Sequence, residues 1–142
     1  DGCPYVKKHY NAGNMQKLQQ EAVADGKIWL TIISSAPGKQ GHVDPAGADE
    51  LTASRGAQPT AVLLDPEGDV GRAYEAQTTP QMFVIDEAGI LRYMGAIDDQ
   101  PTTEIASVAK ARNYLREALA AVKAGTPVAE SATDPYGCSV KY

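Results

Sequence analysis

Thr78-Thr79-Pro80-Gln81-Met82-Phe83-Val84-Ile85-Asp86 is the stretch on which the fold turns. Met82 to Ile85 is apolar at every position, which predicts a buried strand within 81–86. Pro80 stands directly before it, where a strand tolerates a residue without an N–H. An X-Pro bond at such a place can be cis. A bend there would free the Thr79 backbone to pair with an extended segment by strand addition. Glu87-Ala88-Gly89 then turns the chain, and Ile90 to Ala96 returns as the second strand of a hairpin.

Upstream of the hairpin, strands alternate with helices. Cys3-Pro4-Tyr5-Val6 opens a helix, with Pro4 in its first turn, where a missing N–H costs nothing. A break at 11–14 lets Asn14 cap a second helix that places Met15, Leu18 and Ala22 on one face. Lys27 to Ser35 is apolar on both parities, as a strand covered on both faces is. A loop follows, and Asp44 caps a helix that has Pro45 at its first position and ends by Gly56. Ala61 to Leu64 is another short strand, and Asp69 caps one or two helical turns through Tyr74. After the hairpin, one long helix is predicted from 102–104 to Gly125. Ile105, Val108, Leu115, Leu119 and Val122 form its apolar face. The order is α/β, ending in an antiparallel pair and a helix. Residues 1–125 form one domain, and 126–142 are its C-terminal tail. The tail has little periodicity, and residues 125–142 are a candidate for disorder.

The chain has 142 residues, long enough for one domain with a real core. Thirteen Lys and Arg stand against 18 Asp and Glu, a net charge of −5. No basic stripe is present, so nucleic acid is excluded as a partner. The longest apolar runs fall far short of the roughly 20 residues a membrane helix needs. The chain opens Asp1-Gly2-Cys3, which reads as a processed or partial chain, so no targeting segment is legible.

Only two cysteines are present, Cys3 and Cys138. They leave three readings open: one long-range disulfide, a reactive thiol, or two inert thiols. A disulfide would close nearly the whole chain and contribute about 5 kcal/mol on the loop-entropy model. Cys3 begins a predicted helix, where free N–H groups and the helix dipole favour a thiolate. Such placement lowers a cysteine pKa to roughly 3.5–7.5. Lys7 and Lys8 add positive charge nearby. His9 and His42 read as solvated, although either could assist proton transfer. Asp98-Asp99 reads as a solvated turn rather than an acid or metal pair. Tyr5 and Trp29 read as packing residues. Gly68 and Gly71 make no phosphate loop, because no Lys-Ser/Thr pair follows them.

Four segments occur together and in order: Gly2-Cys3-Pro4-Tyr5-Val6-Lys7, Thr79 to Asp86, Tyr93-Met94-Gly95-Ala96-Ile97-Asp98-Asp99, and Gly137-Cys138-Ser139-Val140-Lys141-Tyr142. The set resembles the peroxiredoxin-like branch of the thioredoxin superfamily, the alkyl hydroperoxide reductase and thiol-specific antioxidant type. The resemblance covers essentially the whole chain. It implies a thioredoxin-like fold, a central mixed sheet flanked by helices, here lacking its N-terminal strand. It also implies that Cys3 is the nucleophile at the first active-site helix and that Pro80 is the cis-proline facing it. Pro4, Thr79 and Pro80 would shape the site, and Cys138 would be the resolving thiol on a flexible tail.

Three departures stand beside the match. Val6 occupies the place of a thioredoxin's second cysteine, so no local dithiol forms. Pro80 stands where a peroxiredoxin carries its peroxide-holding arginine. Thr78 stands where relatives often carry a further cysteine. The implied activity is that of a thiol-dependent oxidoreductase without metal or cofactor, acting on a peroxide or a protein disulfide with an external thiol reductant. The alternative is a non-catalytic binding or scaffold domain with a structural Cys3–Cys138 disulfide. Without the upstream strand, 28–35 would expose an edge that invites a homodimer. A resting disulfide would fit the periplasm or another oxidising compartment better than the cytoplasm.

Overall fold

The computed structural model describes residues 2–142; Asp1, where the sequence reading begins the domain, lies outside them. The architecture is mixed α/β. Helix α1 spans Pro4–Asn11 and α2 spans Asn14–Ala24. Strand β1 (Leu30–Ile33) pairs in parallel with β2 (Ala61–Leu64), Leu30 opposite Ala61 and Ile33 opposite Leu64. A parallel pair needs a long crossover, and α3 (Pro45–Ser54) lies in it. Asp44 caps α3 as expected, its Oδ1 accepting from the Gly47 N–H at 2.8 Å.

Helix α4 spans Asp69–Ala73. Strand β3 (Thr78–Thr79) follows, then the antiparallel hairpin of β4 (Met82–Ile85) and β5 (Leu91–Gly95). Helix α5 spans Tyr114–Ala124, and β6 is Cys138–Ser139. The core lies where α2 and α5 meet the hairpin: Met15, Leu18, Val84, Tyr93, Ile97, Leu115 and Ala118 are buried together, with Trp29 packed against them.

Several expectations change. Among the described residues the strands form three separate two-stranded pairings, not one continuous central sheet. Strand β1 is not covered on both faces. Thr31 and Ile33 share a cleft with α3, whereas Leu30, Ile32 and Leu63 are 51%, 37% and 43% exposed. Among the described residues β1 has a strand neighbour on one side only. Gly13 and Gly68 precede α2 and α4, so Asn14 and Asp69 are first helical residues rather than caps.

The long helix expected from 102–104 onward is broken. A 3-10 helix, Ile105–Lys110, ends in extended backbone before α5. The break is made by side chains. Asp99 Oδ1 accepts from the Arg112 N–H at 2.9 Å, and the Asp99 N–H donates to the Arg112 carbonyl. Asn113 then caps α5, accepting from the Arg116 N–H. Ile105 consequently lies half exposed, off the face that buries Leu115.

The tail is placed rather than free. The Met94 N–H donates to the Ser131 carbonyl and the Thr133 N–H to the Met94 carbonyl, so the tail runs beside β5. Thr133 Oγ1 meets the Tyr93 hydroxyl at 2.7 Å and accepts from the Ala96 N–H. Side-chain bonds of this kind have no sequence period, which is why hydropathy patterning misses them.

Candidate functional site

Cys3 is the N-cap of α1. Its backbone is extended, Pro4 follows at the first helical position, and its carbonyl accepts the first helical bond from the Lys7 N–H. The sulfur makes no full capping bond, but the Tyr5 and Val6 N–H groups lie near enough to favour its thiolate. The thiol donates to the Thr79 carbonyl at 3.2 Å. It is 7% exposed.

Cys138 arrives from the other end of the chain. Strand β6 pairs antiparallel with β3, setting Cys138 opposite Thr79 and Ser139 opposite Thr78. Both cysteines are free thiols, and the pairing of β6 with β3 brings Cys138 to Thr79, whose carbonyl the Cys3 thiol meets. The Thr79–Pro80 bond is cis. The Thr79 backbone, expected to be open to an extended segment, is thus taken by the protein's own tail. Gly137 allows the approach: its φ is +153°, and a Cβ there would run into the Thr79 carbonyl.

The electrostatics divide the pair. Burial pushes the Cys3 thiol up, but the Cys138 thiol and the N–H groups of Val6, Cys138 and Tyr5 outweigh it and bring it below the usual thiol value. Burial, then hydrogen bonding and charge from Cys3, pushes Cys138 up to about 11. Of the two, Cys3 is the more readily ionised thiol and Cys138 holds its proton. Lys7 and Lys8 do not drive this difference. Lys7 is exposed, and Lys8 points into a different, buried cluster.

That cluster corrects two readings. His9 and Asp98 are fully buried, not solvated. Tyr136 donates its hydroxyl to Asp98 Oδ1 at 2.5 Å. Lys8 Nζ donates to the same hydroxyl at 3.0 Å and to the Gln100 carbonyl at 2.9 Å. His9 Nε2 lies 3.3 Å from the hydroxyl, and its Nδ1 meets Asn14 Nδ2 at 2.9 Å. Tyr136 was not singled out by the sequence; its one signal is its place two residues before Cys138. His42 and Asp99 are exposed, as read. Tyr5 packs edge-on against Tyr136.

Beyond Cys138 the tail is held again. The Ser35–Lys141 bridge carries it past the end of β1, and the Tyr142 hydroxyl donates to the Ala76 carbonyl. The Tyr142 ring lies under Arg72 and against Gly68 and Gly71, where a Cβ would collide with it. The two glycines therefore make room for an aromatic ring. A cleft of about 230 Å³ at the C-terminal ends of β1 and β2, lined by Ile33, Ser35, His42 and Leu64 among others, borders neither sulfur.

No family model and no curated protein matches the chain. Solved structures do match, among them two that cover essentially all of it. One is an uncharacterized conserved protein from Geobacillus kaustophilus, 26% identical, with a TM-score of 0.80 over 100% of this chain and 72% of that one. The other is a hypothetical protein from Sinorhizobium meliloti 1021, 26% identical, with a TM-score of 0.74 over 99% of this chain and 74% of that one. The likeness carries a shared α/β fold through the tail and no activity.

Proposed function

We propose that the chain is a thiol-dependent oxidoreductase with a thioredoxin-like fold, of the peroxiredoxin-like type its motifs resemble. One observation carries the reading: a thiol at a helix N-terminus lies against the Thr79 carbonyl, and strand pairing brings a second thiol to that same residue from the far end of the chain. With a peroxide, the Cys3 thiolate attacks one oxygen, the O–O bond breaks, and an alcohol or water leaves after taking a proton. Cys3 is then a sulfenic acid. Cys138 attacks that sulfur, the S–S bond forms, and the sulfenic oxygen leaves as water. An external dithiol restores both thiols and becomes a disulfide itself. With a protein disulfide as substrate, Cys3 forms the mixed disulfide and Cys138 releases the substrate's thiol.

The Thr79 carbonyl borders the Cys3 sulfur, Pro80 follows Thr79 through the cis bond, and Pro4 starts the helix. The scaffold reading has its own support, since Cys3 is almost wholly covered and Val6 removes a local dithiol. A second copy pairing along the open edge of β1 is part of the proposal; sedimentation giving a monomer would remove it.

The test is a time course. The reduced protein meets hydrogen peroxide in slight excess, is quenched with an alkylating reagent, and both cysteines are mapped by mass. Fast loss of the Cys3 thiol followed by a Cys3–Cys138 bond supports the peroxidase form. If Cys3 stays reduced while peroxide persists, the peroxidase form falls. Exchange with a peptide disulfide then decides between disulfide exchange and scaffold.

A further inference from the structure

A tyrosine hydroxyl has one proton to donate and two lone pairs to accept with. The Tyr136 hydroxyl has three neighbours to match: it donates to Asp98, accepts from Lys8, and has His9 Nε2 beside it. Lys8 also stands over the ring, 4.9 Å from its centre, and Tyr5 packs against the ring edge. Three of these residues (Tyr5, Lys8 and His9) belong to α1, the helix that begins at Cys3.

The spacing is matched at the other end. Five residues of helix, from Cys3 to Lys8, rise about 7.5 Å. Tyr136 stands two residues before Cys138, a span of at most about 7 Å. With Tyr136 fixed at Lys8, the tail can reach no further than about one helical turn and a half, and Cys138 lies at Thr79 beside Cys3. Asp98 holds the hydroxyl from a third direction, from the segment after β5. The cluster is buried, so water offers these groups little substitute for one another.

We propose that Tyr136 is a positioning residue for the Cys3–Cys138 pair: its hydroxyl, held by Asp98, Lys8 and His9, sets Cys138 over Cys3 and so sets how readily the two sulfurs join. The inference rests on the proposed reading that these thiols form a bond in turnover.

The test uses glutathione disulfide as the oxidant on the full chain. Two steps are followed. Cys3 takes glutathione as a mixed disulfide and releases one glutathione thiol. Cys138 then displaces the second glutathione and closes the protein disulfide. Tyr136→Phe keeps the ring and removes the hydroxyl. Its intramolecular closure is expected to slow about tenfold, and its effective concentration against glutathione to fall by a similar factor. The first, bimolecular step at Cys3 stays within twofold or quickens.

A general loosening of the fold would not split the two steps in this way. Asp98→Asn is the second variant; it keeps an acceptor oxygen at the hydroxyl and is expected to lie between wild type and Tyr136→Phe. If wild type closes its disulfide and Tyr136→Phe closes it equally fast, the positioning role is overturned while the two-thiol reading stands. If wild type accumulates only mixed disulfides and never closes, both fall.

Discussion

Thr79 and Cys138 face each other across an antiparallel pair, and the Thr79 carbonyl also accepts the Cys3 thiol proton at 3.2 Å. One backbone residue thus touches both ends of the chain. The edge beside the cis-proline, where an extended partner would add as a strand, already carries the strand of the protein's own tail. A bulky disulfide can reach Cys3 only if that strand moves, whereas a small peroxide needs far less room.

The first prediction concerns acidity. Cys3 lies below the usual thiol value partly because the Cys138 thiol donates to it. A thiolate, not a thiol, is alkylated. The rate of Cys3 alkylation plotted against pH therefore inflects below that of a free cysteine. In Cys138→Ala one donor is lost while the backbone donors remain, so the inflection moves up. Mass mapping separates the two sites, since Cys138 holds its proton to about 11. An inflection that ignores the substitution would remove Cys138 as a donor.

Gly137→Ala tests the docking of the tail. Its backbone lies where side chains are rarely found, and the added methyl meets the Thr79 carbonyl. Strain of this kind costs about 1–3 kcal/mol. The least costly relief is for β6 to lift from β3, because that pairing is only two residues long. Cys3 then gains access to solvent, and its alkylation at fixed pH rises about fivefold to 150-fold, on the same energy scale. Unchanged alkylation with a normal melting curve would mean that the tail tolerates a Cβ.

Gly71→Ala tests the far anchor. A Cβ there meets the Tyr142 ring and hydroxyl and the Ser34 hydroxyl. The neighbouring Asp65 carboxylate is tied to Ser34 at 2.6 Å and to the Gly71 N–H at 2.9 Å, so the loop cannot simply retreat. Overpacking of this sort costs about 1–3 kcal/mol. Thermal unfolding should move down by several degrees, and Tyr142→Ala in the same chain should recover part of the loss. A double variant no better than Gly71→Ala would place the strain elsewhere.

Local signals carried much of this fold. Asp44-Pro45 opens α3, and Ala61 to Leu64 is a strand at the expected residues, because capping and apolar runs act within a few positions. The two thiols were legible because the chain holds no other cysteines, and their roles came only from the resemblance. What stayed hidden acts over distance. The break before α5 depends on Asp99 bonding to the Arg112 backbone thirteen residues on. The burial of His9 depends on Asp98 and Tyr136, from two other segments. The tail's order depends on single tyrosines, which leave no period to read.

His9 gives the last prediction, in pH-dependent stability. Burial, opposed by the Asp98 charge and assisted by the Lys8 charge, lowers its pKa from 6.5 to about 4. The native imidazole therefore stays neutral while the unfolded chain's imidazole takes up a proton. Between pH 6.5 and 4 the unfolded state binds more protons, so stability rises with pH there and is lost as pH falls. The full loss is on the order of 3 kcal/mol by pH 4. Carboxylates held low, such as Asp65 and Asp86, lose their contribution mainly below that window. Urea midpoints measured from pH 7 to 5 should fall steadily for the wild type. His9→Gln keeps polar atoms in the cluster but cannot titrate. Its midpoint should start lower at pH 7 and change little down to pH 5; an equal slope in both proteins would mean that another group drives the loss.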